Sequence, residues 1–222
     1  MFEFAPGRWL DTSDNEAALY GRAAARLHNA AEGWTQAGRF SLDLAHLISE
    51  PVARIQPFLS NSPELLSSLE AAAARTHAAI SALVPELEWG ACHGDLHEGN
   101  VHIDESATLW LFDFDCGGPG YRAYDLAVYW WSQASNKGKT PEQEVAAWTA
   151  FLNGYTAIRP LSEADERATR HFVAARAIWF MGLYVQLAEV FGTTTVSERF
   201  FQRGLDFITG WEARQEIPAL LS

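Results

Sequence analysis

A chain of 222 residues, 48% hydrophobic and 20% charged, is long enough to bury one large core or two small ones. Its net charge of −12, from 16 basic against 28 acidic residues, leaves no basic footprint for nucleic acid or an anionic membrane. Such acidity suits a cationic small molecule, or serves solubility alone. Two cysteines, Cys92 and Cys116, are too few for a disulfide framework, and "MFEFAPGRWL" holds no apolar leader segment. With no uninterrupted apolar run of membrane-spanning length, a reduced, cytoplasmic chain is expected.

From residue 12 the sequence reads as helix. Ser13 and Glu16 have capping-box spacing, and Leu19, Ala23 and Leu27 recur on one face. A second helix runs through "SPELLSSLEAAAARTHAAISALVPEL", with Ser62 as cap, Pro63 at its first position and Pro85 as its end. Residues 87–116 differ: "VHI" and "TLWLFDF" flank the turn-like "DESA" and predict a β-hairpin, followed by the breaker "CGGPG". Helices return with "YRAYDLAVYWWSQA", with a segment opened by Thr140, Pro141 and Gln143, with the long stretch from Ser162 to Phe191, and with "VSERFFQRGLDFITGWEARQ". The fold class is therefore mainly α (α+β), helical with one small β-hairpin.

The polar residues concentrate at that hairpin. "HGDLHEGN" (93–100) holds two His, an Asp, a Glu and an Asn around a single apolar residue, Leu96. Buried polar groups need partners, so a packed core does not favour this composition. The start of the first strand and the end of the second are neighbours across a hairpin, so Asn100 faces Asp113, with Asp95 close by. An amide oxygen and carboxylates suit a hard cation such as Mg²⁺, with phosphate oxygens completing its shell. Asp95 is then free to accept a proton from a hydroxyl. Asp115 is either a further metal ligand or a cap of the following loop. His93 reads as structural support of the loop, and His97 as loop-shaping or facing the substrate.

The order His93-Gly94-Asp95-Leu96, then Asn100, then Asp113-Phe114-Asp115 follows the phosphoryl-transfer template H-R-D-L…N…D-F-G. "CHGDLHEGN…LFDFDCGGPGYRAYDLA" resembles the aminoglycoside phosphotransferase and choline kinase superfamily, in its homoserine-kinase-like and stress-response-kinase-like branches. The likeness is specific over 92–128. It implies a protein-kinase-like fold and transfer of a phosphoryl group from ATP, with Mg²⁺, to a hydroxyl of a small, amine-bearing molecule. Asp95 matches the catalytic base, Asn100 and Asp113 the metal ligands, and Asp125 a structural Asp holding the catalytic loop. Residues 1–10 resemble the hinge, with the backbone of Phe2, Glu3, Phe4 and Ala5 at adenine, and 11–222 resemble the C-terminal lobe. Gly94 stands where protein kinases have Arg, so control through a phosphorylated activation loop is not expected. No G-x-G-x-x-G occurs, and the only lysines, Lys137 and Lys139, follow the catalytic loop. An N-terminal β-lobe is therefore expected to be absent, and either a partner lobe or a homodimer is expected to cover the bare hinge face.

Two other readings stand beside this one. A pseudokinase-like binding module would keep the same residues without turnover. A metal-dependent hydrolase would use the His and Asp of "HGDLH" with His102. "GKT" (138–140) lacks the upstream Gly of a phosphate-binding loop, since position 133 is Gln, and is a helix-capping loop. Cys92 and Cys116 read as reduced thiols. Of the aromatics Tyr129–Trp131, Trp148, Trp179 and Trp211, most read as core, with one or two available to a cationic ligand.

Overall fold

Helices supply most of the described backbone. The computed structural model describes residues 5–11, 13–34, 40–192 and 196–214. Among these, the α-helices are α1 (Asp14–Ala30), α2 (Glu50–Ile55), α3 (Pro63–Ser81), α4 (Arg122–Ser135), α5 (Pro141–Thr156), α6 (Glu163–Phe191) and α7 (Glu198–Ala213). A π-helical turn, Ala45–Ser49, runs straight into α2. This element was not anticipated, because Pro51 and Pro57 interrupt the helical pattern there.

Several expected caps are present. Ser13 accepts from Glu16 N–H at 3.4 Å, but the Glu16 carboxylate turns to Arg8 and to Asp11 N–H (2.6 Å) instead of closing the box. Thr140 and Gln143 complete a reciprocal box at 2.9 and 3.3 Å. Ser62 flanks α3 without capping it; its hydroxyl donates to Glu198 at the start of α7. α3 stops at Ser81, short of Pro85, and a 3₁₀ turn covers Val84–Glu86.

The helices bury a core centred on α1, α4, α5 and α6, with Tyr20, Tyr124, Phe151, Tyr155 and Phe172 essentially inaccessible. α1 presents Ala17, Tyr20, Gly21, Ala24 and His28 inward, while the predicted Leu19–Ala23–Leu27 stripe is only half-buried. The reason is close helix approach. A Cβ on Gly154 would lie 2.0 Å from the Ala18 carbonyl oxygen, and one on Gly21 1.9 Å from that of Phe151. Small residues therefore set the α1–α5 contact, and the leucines flank it.

α6 is long and apolar enough to cross a membrane by length and composition. Sixteen of its 29 residues are buried within the protein, among them Asp165 and Arg176, as befits the central helix of a core.

The predicted hairpin forms, as β3 (Val101–Ile103) and β4 (Leu109–Leu111), paired Val101 to Leu111 and Ile103 to Leu109. Two features differ from the expectation of a lone hairpin. β1 (Arg8–Trp9) adds to β3, giving the order β1-β3-β4. The stretch read as a breaker forms β5 (Gly118–Tyr121), antiparallel to β2 (Trp89–Cys92). Glycines at 118 and 120 let Phe40 and Leu42 lie directly against β5, so a sequence that looks irregular is a covered strand.

Candidate active site

The loop between β2 and β3 is fixed by backbone donors converging on one carboxylate. Asp125, in the first turn of α4, is fully buried and accepts the N–H groups of His93 and Gly94, each at 2.7 Å. Its Oδ2 also lies 3.0 Å from His28 Nε2 in α1, and His28 Nδ1 lies 2.8 Å from the Tyr155 hydroxyl in α5. Three helices thus grip the loop through one buried network. Gly94 has φ +79°, and a Cβ there would meet the Cys116 carbonyl oxygen at 2.0 Å, so both conformation and space call for glycine.

His93 is buried. Its Nε2–H donates to the Phe112 carbonyl at 3.0 Å, while Nδ1 accepts from Asp95 N–H at 3.3 Å. These two bonds specify a neutral imidazole with its hydrogen on Nε2. His97 caps the 3₁₀ turn Glu98–Asn100 by accepting from Gly99 N–H at 2.9 Å, which leaves its Nε2–H toward Asp95 Oδ2 at 3.4 Å. His97 therefore both shapes the loop and touches Asp95.

Asp95 is half-buried. Asn100 Nδ2 donates to its backbone carbonyl (2.9 Å) and to its Oδ2 (3.1 Å). Oδ1 is ion-paired with Arg176 of α6. Burial pushes this carboxyl upward, but the hydrogen bond from His97 and the charge of Arg176 outweigh it and hold the group well below the ordinary carboxylate range.

The hairpin register brings the remaining groups round. Asn100 carbonyl accepts from Phe112 N–H at 3.1 Å, so Asp113 begins one residue beyond the Asn100 pairing. β4 ends at Leu111, earlier than the sequence implies, and Asp113 takes a left-handed backbone with φ 64° and ψ 63°. A non-glycine residue in this region is uncommon, and aspartate is among the few that tolerate it. Asp113 and Asp115 are both exposed, and with Asp95 they act electrostatically on the Cys116 thiol. Because Nδ2 of Asn100 is committed to Asp95, its Oδ1 is the amide atom left to act as a ligand. An amide oxygen with one or two carboxylates fits Mg²⁺, which takes few protein ligands and keeps water and phosphate oxygens. Among the described residues, no three His, Cys, Asp or Glu side chains cluster as a metal cage. The imidazoles of His93, His97 and His102 bond to backbone groups of Phe112, Gly99 and Ala5.

The adenine-side expectation falls mainly on Phe2, Glu3 and Phe4, which lie outside the described residues. Ala5 is described, and its carbonyl accepts from His102 Nδ1 at 2.9 Å, tying this segment to β3. Cys92 is buried and Cys116 half-buried, and both are free thiols. Tyr129, Trp130, Trp148 and Trp211 are core, as expected. Trp131 and Trp179 do attract a cation, but it is the guanidinium of Arg176, 5.2 and 4.4 Å from their ring centroids. Arg176 escaped the sequence reading. The signal was a single charge inside the apolar run "VAARAIWFMGL".

A helical body whose small sheet presents an Asp–Asn loop, with a second Asp delivered across the next hairpin, is the arrangement of kinase-like phosphotransferases. The chain belongs to the phosphotransferase enzyme family, whose sequence model matches residues 1–161. It is 54% identical over 214 residues to a protein of Deinococcus radiodurans, spanning 96% of this chain and 62% of that one. It is 30% identical over 187 residues to homoserine kinase of Gluconobacter oxydans, spanning 80% of this chain and 56% of the kinase. The solved structure of amicoumacin kinase in complex with AMP-PNP, Ca²⁺ and Ami aligns with a TM-score of 0.68 at 20% identity, over 95% of this chain and 63% of that one. That last likeness is one of fold. The chain thus spans about six tenths of the length of these proteins.

Proposed function

We propose that this chain carries the phosphoryl-transfer centre of an ATP-dependent, Mg²⁺-dependent kinase acting on a hydroxyl of a small, amine-bearing molecule. The observation that supports the reading is that Asn100 bonds through its side chain to Asp95 and through its carbonyl to Phe112 N–H, the residue before Asp113. Asp95 orients the acceptor hydroxyl and takes its proton as the new bond to phosphorus forms. Asn100 and Asp113, helped by Asp115, hold Mg²⁺, whose contribution when bound is to neutralise phosphate charge. His93 and Asp125 keep the loop in place, and the backbone of residues 2–5 meets adenine. Homoserine kinase and amicoumacin kinase among the similar proteins support a small-molecule acceptor. Two free cysteines, one buried, support a reducing, cytoplasmic setting.

Residues 11–222 act in this reading as the lower lobe of a kinase. The phosphates are then covered by an upper lobe or by a second copy of the chain, seated on the face around β1. The test is a coupled assay of Mg²⁺-ATP turnover against a panel of homoserine, choline, ethanolamine and amino sugars, with Asp95→Asn as control. Acceptor-dependent ADP release that vanishes in Asp95→Asn supports the reading. Release that is independent of acceptor and unaffected by the substitution contradicts it.

A further inference from the structure

Arg176 lies at the centre of the molecule with 2% of its surface exposed. Burying a guanidinium is costly unless it is paired and hydrogen-bonded, so its environment shows what it is kept for. One Nη reaches Asp95 Oδ1; the other lies 3.3 Å from the Tyr124 hydroxyl and 3.4 Å from the Gly94 carbonyl. The plane rests against Trp131 and Trp179, and Trp179 is held in turn by its Nε1–H donating to His46 Nε2 at 3.3 Å. Its Nε has no hydrogen-bond partner among the described residues. The group is therefore imperfectly satisfied where only stability is concerned. What it achieves is geometric: a planar fork against two ring faces, aimed at one oxygen of Asp95 and the carbonyl of the preceding residue.

We propose that Arg176 is a positioning residue of the transfer site, which fixes Asp95 by occupying Oδ1 and so presents Oδ2 to the acceptor hydroxyl. This rests on the reading of the site as a phosphoryl-transfer centre. Among the described residues Oδ2 accepts from Asn100 at 3.1 Å and contacts His97 Nε2 at 3.4 Å. A carboxylate has about four acceptor positions. The incoming hydroxyl takes the place of the longer His97 contact, while Arg176 stops the carboxylate from rotating to follow it. Asn100, held by the Asp95 backbone carbonyl, also shares Oδ2, so the same clamp links the acceptor side with the ligand side. Lysine in place of Arg176 would supply charge without the planar fork or the ring stacking.

The experiment has two arms on the protein in its active form. The first needs no turnover: melting temperatures of Asp95→Asn, Arg176→Met and the double variant. Removing either partner alone strands a buried charge or donor, and Asp95→Asn is expected to lower Tm by about 6 °C or more. In the Arg176→Met background the same Asp95→Asn change should cost little. Additive losses would overturn the proposal, because the two groups would then not be coupled. The second arm measures transfer by Arg176→Ala and Arg176→Lys. Misplacement of a reacting group costs on the order of 10²-fold, so kcat should fall about that much with the KM for ATP changed less than about two-fold. Millimolar guanidinium should restore part of the Arg176→Ala rate, while sodium at equal ionic strength should not. Unchanged kcat, or a loss confined to KM, would show a structural counter-ion only and overturn the proposal. If the unsubstituted protein transfers nothing to any acceptor while the first arm shows coupling, it is the transfer reading that fails.

Discussion

Asp95 is constrained by Arg176 at Oδ1, by Asn100 and His97 at Oδ2, and through its own N–H by His93. Replacing its carboxylate with an amide keeps the shape and removes the proton acceptor. Asp95→Asn is therefore expected to lower turnover by about 10²–10⁴-fold while leaving nucleotide affinity nearly unchanged. Asp113→Asn should do the reverse, weakening binding of the Mg²⁺-nucleotide complex; calorimetric titration separates the two. Asp125 makes a structural prediction. Asp125→Ala strands the N–H groups of His93 and Gly94 in a dry interior, at a cost of about 1–3 kcal/mol for each unsatisfied group, readable in chemical denaturation. Cys116 supplies a pH dependence. Burial, reinforced by the negative charge of Asp95, pushes its thiol up from 9.0 to about 11. The thiolate is the reactive form, so alkylation should remain slow at pH 8 and reach half its maximal rate only near pH 11. A half-maximal rate near pH 9 would show that Cys116 is solvated. At this scale the sequence was informative wherever residues lie on one loop or one hairpin. Asp95 and Asn100 are five apart, and period-two pairing places Asn100 by Phe112. It was silent on Arg176, which reaches Asp95 across 81 residues through helix packing that no local pattern encodes.

The helices were legible because their ends are written in side chains. Ser13, Thr140, Ser162 and Ser197 each accept from the backbone of the first turn of the helix they precede. Thr140→Ala, which breaks the reciprocal capping box of α5, should cost about 1 kcal/mol in thermal unfolding. The strands were less legible. β5 contains three residues of "GPGY" that normally argue against a sheet, and it exists because β2 pairs with it and Leu42 covers it. The inward face of α1 was misjudged for a related reason: hydrophobicity favoured the leucines, whereas close packing favoured Gly21 and the alanines. Gly154→Leu tests that account. The added side chain has no room against the Ala18 backbone, so the α1–α5 contact must open, at a cost of about 1–3 kcal/mol or more. Because His28 and Tyr155 lie on these two helices and reach Asp125, the same change should loosen the 93–100 loop, measurable as faster amide exchange at Gly94.

Over the whole molecule, charge and surface set the conditions for function. A chain of net charge −12 repels a polyanionic nucleotide at long range, so in the proposed reading the attraction comes from metal and local donors. The sheet face of β1 and β4 carries Trp9 (54% exposed) and Trp110 (44%), paired on either side of His102. Exposed aromatics of this kind favour association. Light scattering on Trp9→Glu with Trp110→Glu should show a lower mass than the unsubstituted chain, and equal masses would remove this face as an interface. The central claim, that Asn100 and Asp113 serve one metal-nucleotide site beside Asp95, can be tested without turnover and without a known acceptor. Manganese with ATP, titrated into ¹⁵N-labelled protein, broadens amide signals near the ion. The account predicts broadening centred on residues 95–100 and 112–116 and largely lost in Asp113→Asn. Broadening that centres elsewhere, or that survives this substitution unchanged, would contradict it.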